Sequence, residues 1–241
     1  MRHDDVAWKK LQGDVFRKPD FAVLLCSMSG MGIQCVLSMY CILLFMTISF
    51  LNPYSRFYNF WNIFAYMVIG GFVNGYFTAR SMKYFGASEW RFAASVAAVA
   101  LPLYIVGTFC LVDIIEYFEK SDQIFPFTAI VLFFFLWLIF NVPASYYGAY
   151  VAFKHSDDKA PLKINSVRRE VPPQPWYLHS SFSTLVVGFL MFSVVMSEFH
   201  YVLTSVWRSY MIGMFFLYFI NFNLLLAVVT LLSCLQTYLL L

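Results

Sequence analysis

Charged residues are scarce in this sequence. Only 12% of its 241 residues are Asp, Glu, Lys or Arg, whereas 61% are hydrophobic. A soluble domain carries about a quarter charged residues. This composition excludes an ordinary soluble fold, and with it a nucleic-acid-binding role. The chain is predicted to be an integral membrane protein.

Signatures of catalysis and of metal binding are also missing. The sequence has no Gly-x-Ser-x-Gly elbow, no His-Glu-x-x-His pair and no phosphate-binding loop ending in Lys-Ser/Thr. No two aspartates lie at depth on different predicted helices, as an intramembrane aspartyl protease requires. The five cysteines all fall within predicted helices, and we interpret them as small buried apolar residues rather than as a disulfide or metal site. We expect no catalytic residue, no metal and no cofactor.

Long uncharged runs separate the few charges. A membrane span needs about 20 mostly apolar residues, and six of these runs can each supply one span. The first run is too short for two helices, and Asn52-Pro53 ends its helix near Leu51. The sequence predicts a cytosolic leader over 1–20 and then an all-α polytopic membrane bundle over 21–241. Its six transmembrane helices are predicted at 21–51, 58–79, 92–112, 125–150, 182–203 and 210–237.

The positive charges alternate between the two sides of the predicted bundle. Of the 16 Lys and Arg residues, all but three lie in segments 1–20, 80–91 and 154–181. Cytosolic loops are enriched in Lys and Arg, so this pattern predicts that both termini face the cytosol. The first 20 residues are polar and mixed in charge, unlike a signal peptide. The exceptions, one in each opposite loop, are Arg56, Lys120 and Arg208.

Small residues line one face of the second predicted helix. Gly71, Gly75 and Ala79 recur at four-residue spacing, which lets two helix backbones approach closely. Packing against another helix of the same chain is favoured over dimerisation. The alanine-rich start of the third helix, residues 93–100, offers a partner surface.

Polar residues and a proline interrupt two other predicted helices. In the first helix, Gln34 follows Gly30 and Gly32. We favour close packing with the amide bonded across an interface over a local unwinding that lines a substrate path. In the fourth helix, Asn141 precedes the Val142-Pro143 pair, and the proline is predicted to kink the helix.

Glu198 is an acidic residue within the fifth predicted helix. A charged side chain at the centre of a bilayer costs about 2.5–3.5 kcal/mol. Glu198 lies toward the outer end of its helix, where this cost shrinks. Two hypotheses remain open: it faces the bundle interior with a functional role, or it extends outward to water.

A proline-rich loop precedes the fifth helix. The loop 154–181 contains Gln174, Pro175, Trp176 and Tyr177. Its prolines favour extended backbone, and the two aromatic rings suit the headgroup layer. We interpret the four residues as an interface anchor that fixes the depth of the fifth helix. The alternative is a docking motif for a cytosolic partner.

Several motifs along the chain resemble those of one family. Together, in this order, they are similar to motifs of the transmembrane-nine superfamily, the nonaspanins, which are endomembrane proteins. The leader matches a G-D-V-F-R-x-P element, and Gln174 to Tyr177 match the family's Q-P-W-Y hallmark. The matching stretches are 13–19, 29–34, 75–80, 141–150 and 174–177.

The resemblance implies a function. Such a protein would be non-catalytic and would assist trafficking, sorting or membrane localisation of other membrane proteins in Golgi and endosomal membranes. Its expected partners are the lipid bilayer and cargo proteins with glycine-rich helices. The candidate recognition face would comprise Gly71, Gly75, Ala79 and Gln34.

Departures from the family pattern leave two alternatives open. The family's luminal domain, first helix and last helices have no counterpart here, so we expect a central six-helix core, either a reduced form or a partial gene product. One alternative function is a secondary transporter or channel with an intramembrane site at Glu198 and Gln34, near the Pro143 break. The other is a non-functional fragment.

Overall fold

Six helices form nearly all of the described chain. The computed structural model describes residues 16–48, 56–119, 127–155, 179–208 and 211–240, and no strand occurs among them. The predictions of an all-α fold and of six helices are confirmed. The helices are α1 (Ala22–Thr47), α2 (Arg56–Tyr84), α3 (Trp90–Phe118), α4 (Phe127–His155), α5 (Ser180–Arg208) and α6 (Met211–Leu240).

Five of these described helices are long and apolar enough to cross a membrane, and α2 is the exception. The 29 residues of α2 rise about 43 Å, more than the roughly 30 Å of a hydrocarbon core. Its lower apolarity comes from residues such as Asn74 and Thr78, whose side chains are fully buried. These polar residues of α2 therefore face protein rather than lipid.

A glycine ends α2 and turns the chain into α3. Gly86 has φ +66°, a left-handed conformation that glycine adopts without strain. The N–H of Gly86 donates to the carbonyl of Lys83 at 2.9 Å, and that of Ala87 donates to the carbonyl of Met82 at 2.9 Å. This pair of bonds is the Schellman motif that commonly closes a helix. The turn directs the buried Ala87 inward.

The chain divides into two compact units. The first unit comprises the described residues within 1–39 and 60–168, and the second comprises those within 40–59 and 169–241. In the first unit, Lys83 at the end of α2 donates to the carbonyl of Phe153 at 3.1 Å. The ring of Phe153 stacks on Trp90, the first residue of α3, with centroids 5.1 Å apart. The end of α2, the start of α3 and the end of α4 therefore meet at one end of this unit, as the charge alternation predicts.

The second unit pairs α5 with α6. Gln236 donates to the hydroxyl of Thr184 at 2.9 Å. The last turns of α1 join this pair: Thr47 donates to the carbonyl of Phe215 at 3.3 Å, and the ring of Tyr40 lies 5.3 Å from that of Phe219. The outer surface of α5 is largely apolar and exposed, which suits contact with lipid.

The predicted sidedness can be tested by chemical labelling. In sealed vesicles whose cytosolic face is outward, a membrane-impermeant maleimide should label Lys159→Cys at once but label Asp122→Cys only after detergent is added. Both variants are made in a chain whose native cysteines are serines. The physical reason is the clustering of Lys and Arg on the cytosolic side. Immediate labelling at position 122 would contradict the proposed orientation.

Candidate functional site

Three amide side chains meet inside the first unit. Gln34 on α1, Asn74 on α2 and Asn141 on α4 are each fully buried. Burying an amide away from water is costly unless its hydrogen bonds are remade. We call these residues, together with Thr78, the amide network.

Gln34 and Asn74 use all of their donors. Gln34 Nε2 donates to the carbonyl of Met67 at 2.9 Å and to Asn141 Oδ1 at 3.1 Å. Asn74 Nδ2 donates to Gln34 Oε1 at 2.9 Å and to the carbonyl of Ala97 at 3.1 Å. A side-chain amide carries two N–H donors, so each nitrogen is fully satisfied. These bonds connect α1, α2, α3 and α4.

Asn141 also bonds a carbonyl that a proline has freed. Pro102 lies within α3 and is fully buried. Proline has no N–H and so cannot bond the carbonyl four residues earlier, which here belongs to Ala98. Asn141 Nδ2 donates to that carbonyl at 3.3 Å. The amide of α4 therefore substitutes for the backbone bond that α3 lacks.

Two buried polar groups of α4 have no hydrogen-bond partner. Within the described chain, Ser145 Oγ and Trp137 Nε1 are buried and make no hydrogen bond. Thr78, in contrast, donates to Asn74 Oδ1 at 3.2 Å. The donors of the amide network named above are therefore bonded, whereas Ser145 Oγ and Trp137 Nε1 on the same helix as Asn141 are not.

Glycines make this close packing possible. A Cβ at Gly30 would lie within 3.0 Å of Thr78 and Asn74, and one at Gly71 would lie as close to Asn141. A Cβ at Gly75 would collide with the backbone of Ser145. Only a residue without a side chain lets α1 and α4 approach α2 so closely.

Other helices of the same chain cover the predicted recognition face. Gly71 and Gly75 face α4, and Ala79 packs with Ala94, Ala149 and Ala152 in one buried cluster. The expected packing within one chain is therefore found, and α3 contributes an alanine to it. Recognition of another protein by this face stays a prediction, and it would require α4 to move away.

Of the two expectations about helix breaks, the one on α1 has a clear outcome. Helix α1 is continuous through Gly30 and Gly32, so the close-packing interpretation holds and the unwound alternative does not. Gln34 is bonded across an interface, as expected. Helix α4 remains α-helical through Pro143, and the kink predicted there stays a prediction.

Other predicted residues fall outside the described part of the chain. Glu198 belongs to α5, but its side chain is not among those described. Gln174, Pro175, Trp176 and Tyr177 also lie outside the described residues. The intramembrane acid and the interface anchor both stay predictions.

The cysteines only partly match their interpretation. All five are free, as expected. Cys26 is buried, whereas Cys35 and Cys234 are exposed on helix surfaces. Cys41 and Cys110 are partly buried. The expectation of burial was therefore met fully only at Cys26 and was wrong for Cys35 and Cys234, because an apolar thiol on a membrane helix can face lipid as readily as protein.

Asn74 and Pro102 were not predicted as site residues from the sequence. Asn74 follows Gly71 and precedes Gly75 in a predicted span, and an amide in a span calls for a hydrogen-bond partner. That signal could have identified it. The pairing of Pro102 with Asn141 has no sequence signal, because it depends on how α3 and α4 are placed.

The chemistry available to this site is limited. None of the side chains in the amide network ionises, so the network can hold helices or bind by hydrogen bonds but cannot transfer protons. No group of three or more His, Cys, Asp or Glu residues that could hold a metal occurs in the described residues.

Known proteins that are similar to this chain belong to one family. The model of a family described as endomembrane protein 70 matches residues 1–241. The chain is 32% identical over 234 residues to transmembrane 9 superfamily member 8 of Arabidopsis thaliana, covering 96% of this chain and 36% of the relative. It is 30% identical over 236 residues to transmembrane 9 superfamily member 1 of Saccharomyces cerevisiae, covering 98% and 35%.

A mammalian member of the same superfamily is also similar to this chain. Transmembrane 9 superfamily member 2 of Mus musculus is 29% identical over 234 residues, covering 96% of this chain and 35% of the relative. The chain thus spans about a third of the length of these curated relatives. No solved structure matches it significantly.

Proposed function

Because this chain belongs to the endomembrane protein 70 family, the transmembrane 9 superfamily, we propose that it assists the trafficking, sorting or localisation of other membrane proteins without catalysis. Golgi and endosomal membranes are the proposed location. The proposed cargo are membrane proteins with glycine-rich helices, which associate in lipid through close backbone approach.

The amide network is the observation that carries the non-catalytic role. It is buried, bonded at its donors and free of ionisable groups. Such a network supports a rigid four-helix scaffold, in which polar bonds fix how the helices sit against each other. Cargo would then be bound laterally, at helix surfaces that face the membrane.

Two surfaces of the first unit are candidates for binding the cargo helix. The first is the covered face of Gly71, Gly75 and Ala79, which requires α4 to move. The second is the open helix surface at Gly32 on α1 or at Gly107 on α3, where a Cβ would meet nothing within 4 Å. We favour the second surface, because it needs no displaced helix.

A reporter assay tests the function. A single-span reporter with a glycine-rich helix should lose its normal membrane localisation when this chain is removed from cells, and it should co-purify with the chain. The matched control is the same reporter with leucines in place of its glycines, which should be unaffected. Equal behaviour of the two reporters would argue against helix recognition.

A cross-link separates the two surfaces. Ala79→Cys and Ala152→Cys place two thiols in one packed cluster and should tie α2 to α4 when oxidised. Cargo binding that survives oxidation favours the outer glycines. Cargo binding that is lost on oxidation and regained on reduction assigns recognition to the covered face.

One observation favours a second function, transport. Buried polar groups deep in a membrane bundle often mark a substrate path, and Ser145 Oγ is buried without a hydrogen-bond partner in the described chain. Flux into reconstituted vesicles decides between the functions. Transport predicts uptake or current that Glu198→Leu abolishes and that Glu119→Gln leaves intact. Absence of flux, with cargo co-purification retained, supports the trafficking role.

A further inference from the structure

A pocket opens at one end of the first unit, away from the amide network. Its volume is about 310 Å³, and it lies where the start of α1 meets the turn between α2 and α3. Small-molecule pockets measure about 300–1,000 Å³, so this one suits a small polar group rather than a whole lipid. Its walls include Phe21, Met82, Ala87 and Phe92.

The position of the pocket matches the headgroup layer of a membrane. Trp90 and Arg91 belong to the adjacent start of α3, and the Arg91 guanidinium lies 5.3 Å from the Trp90 ring centroid. Tryptophan and cationic residues concentrate at the membrane–water interface. The rings of Phe21 and Phe92 are 76% and 63% exposed, which extends the apolar wall toward the acyl chains.

The rim of the pocket carries both signs of charge. Lys18 supplies one ammonium, and Asp20 and Glu89 supply two carboxylates. All three side chains are exposed at this rim. A matching ligand would carry a phosphate for Lys18 and a cation for the carboxylates.

We propose that this pocket binds the headgroup of phosphatidylethanolamine. The lipid phosphate would face Lys18, and its primary ammonium would donate hydrogen bonds to Asp20 and Glu89. Charge-assisted hydrogen bonds of this kind are stronger than neutral ones. Phosphatidylcholine carries the same charges, but its quaternary ammonium has no N–H to donate. The anionic lipid phosphatidylserine carries a carboxylate beside its ammonium, and that carboxylate would be repelled by Asp20 and Glu89.

Lipid retention tests the proposal. The full chain is reconstituted in bilayers of equal phosphatidylethanolamine and phosphatidylcholine, extracted gently, and its retained lipids are counted by native mass spectrometry. We expect about fivefold enrichment of phosphatidylethanolamine, the ratio that a difference of about 1 kcal/mol produces. The variant Asp20→Asn/Glu89→Gln should bring the ratio close to one.

The two ends of α3 provide a matched control. Glu89 and Glu119 flank this helix at its start and its end, and both are exposed. Glu89→Gln should reduce the enrichment, whereas Glu119→Gln should leave it unchanged. Because these side chains are exposed, neither substitution threatens folding.

Three outcomes would overturn the proposal. The first is equal retention of the two lipids by the unmodified chain. The second is preferential retention of an anionic lipid when phosphatidylserine is added to the bilayer. The third is enrichment that appears only after residues 2–14 are deleted, which would make the chain's own leader the occupant of the pocket.

Discussion

Gly75→Ala should destabilise the first unit by about 3 kcal/mol or more, at the upper end of overpacking penalties. A Cβ at position 75 would meet the backbone of Ser145, including its carbonyl, well inside van der Waals contact. A side chain can rotate away from such a clash, but a helix backbone can only move as a whole. The free energy of unfolding in detergent micelles, followed by tryptophan fluorescence, measures the loss.

Gly32→Ala and Gly107→Ala are the controls for this substitution. Both glycines lie in helices of the first unit, and a Cβ at either position meets nothing within 4 Å. Alanine favours a helix over glycine by about 1 kcal/mol, so both variants should be as stable as the parent or slightly more stable. If Gly75→Ala behaves like these two, the close approach of α2 and α4 is wrong.

Asn141→Leu should cost about 2–3 kcal/mol of unfolding free energy. It removes the acceptor of Gln34 and the donor to the carbonyl of Ala98. That carbonyl then has no partner, because Pro102 cannot supply the helical bond. The same micelle unfolding assay measures the effect.

A second substitution tests whether the unpaired Ala98 carbonyl accounts for this loss of stability. Pro102→Ala restores an N–H to α3, which can bond the Ala98 carbonyl within the helix. Asn141→Leu should therefore cost less in the Pro102→Ala background than in the parent, and the difference is the coupling between the two positions. Equal costs in both backgrounds would mean that Asn141 does not serve the freed carbonyl.

Asn223→Leu is the matched control for removal of an amide. Among the described residues, Asn223 Nδ2 donates within its own helix, to the carbonyl of Phe219 at 2.6 Å, on an exposed face. Its loss breaks a bond within one helix rather than one between described helices, so we expect a change below about 0.5 kcal/mol, as for ordinary surface substitutions.

Sequence patterns predicted the helices better than their contacts. The uncharged runs located all six helices, and Gln34 was expected to bond across an interface, as it does. The partners of Gln34 were not predicted. Asn74 and Asn141 are 40 and 107 residues away along the chain, and no local spacing connects residues so far apart.

For the small-residue face of α2, too, the sequence predicted a close contact but not the partner in that contact. Four-residue spacing predicted that Gly71 and Gly75 admit a close neighbour. It did not identify that neighbour, and the alanine-rich start of α3 was the expected candidate. The structure places Asn141 and Ser145 of α4 there, while Asn74 reaches the carbonyl of Ala97 on α3.

The sequence by itself determined that this protein lies in a membrane, how many helices it has and which family it belongs to. The first two properties follow from the composition of each segment, since transfer into lipid depends on each segment alone, and the family follows from motifs that are local in the sequence, such as Gln174 to Tyr177. Only the tertiary structure decided that three amides from three helices bond one another, that one of them serves the carbonyl freed by Pro102, and that a charged pocket lies between α1 and the α2–α3 turn. Those features depend on which helix faces which, because hydrogen bonds and pockets require atoms from distant segments to meet at defined distances.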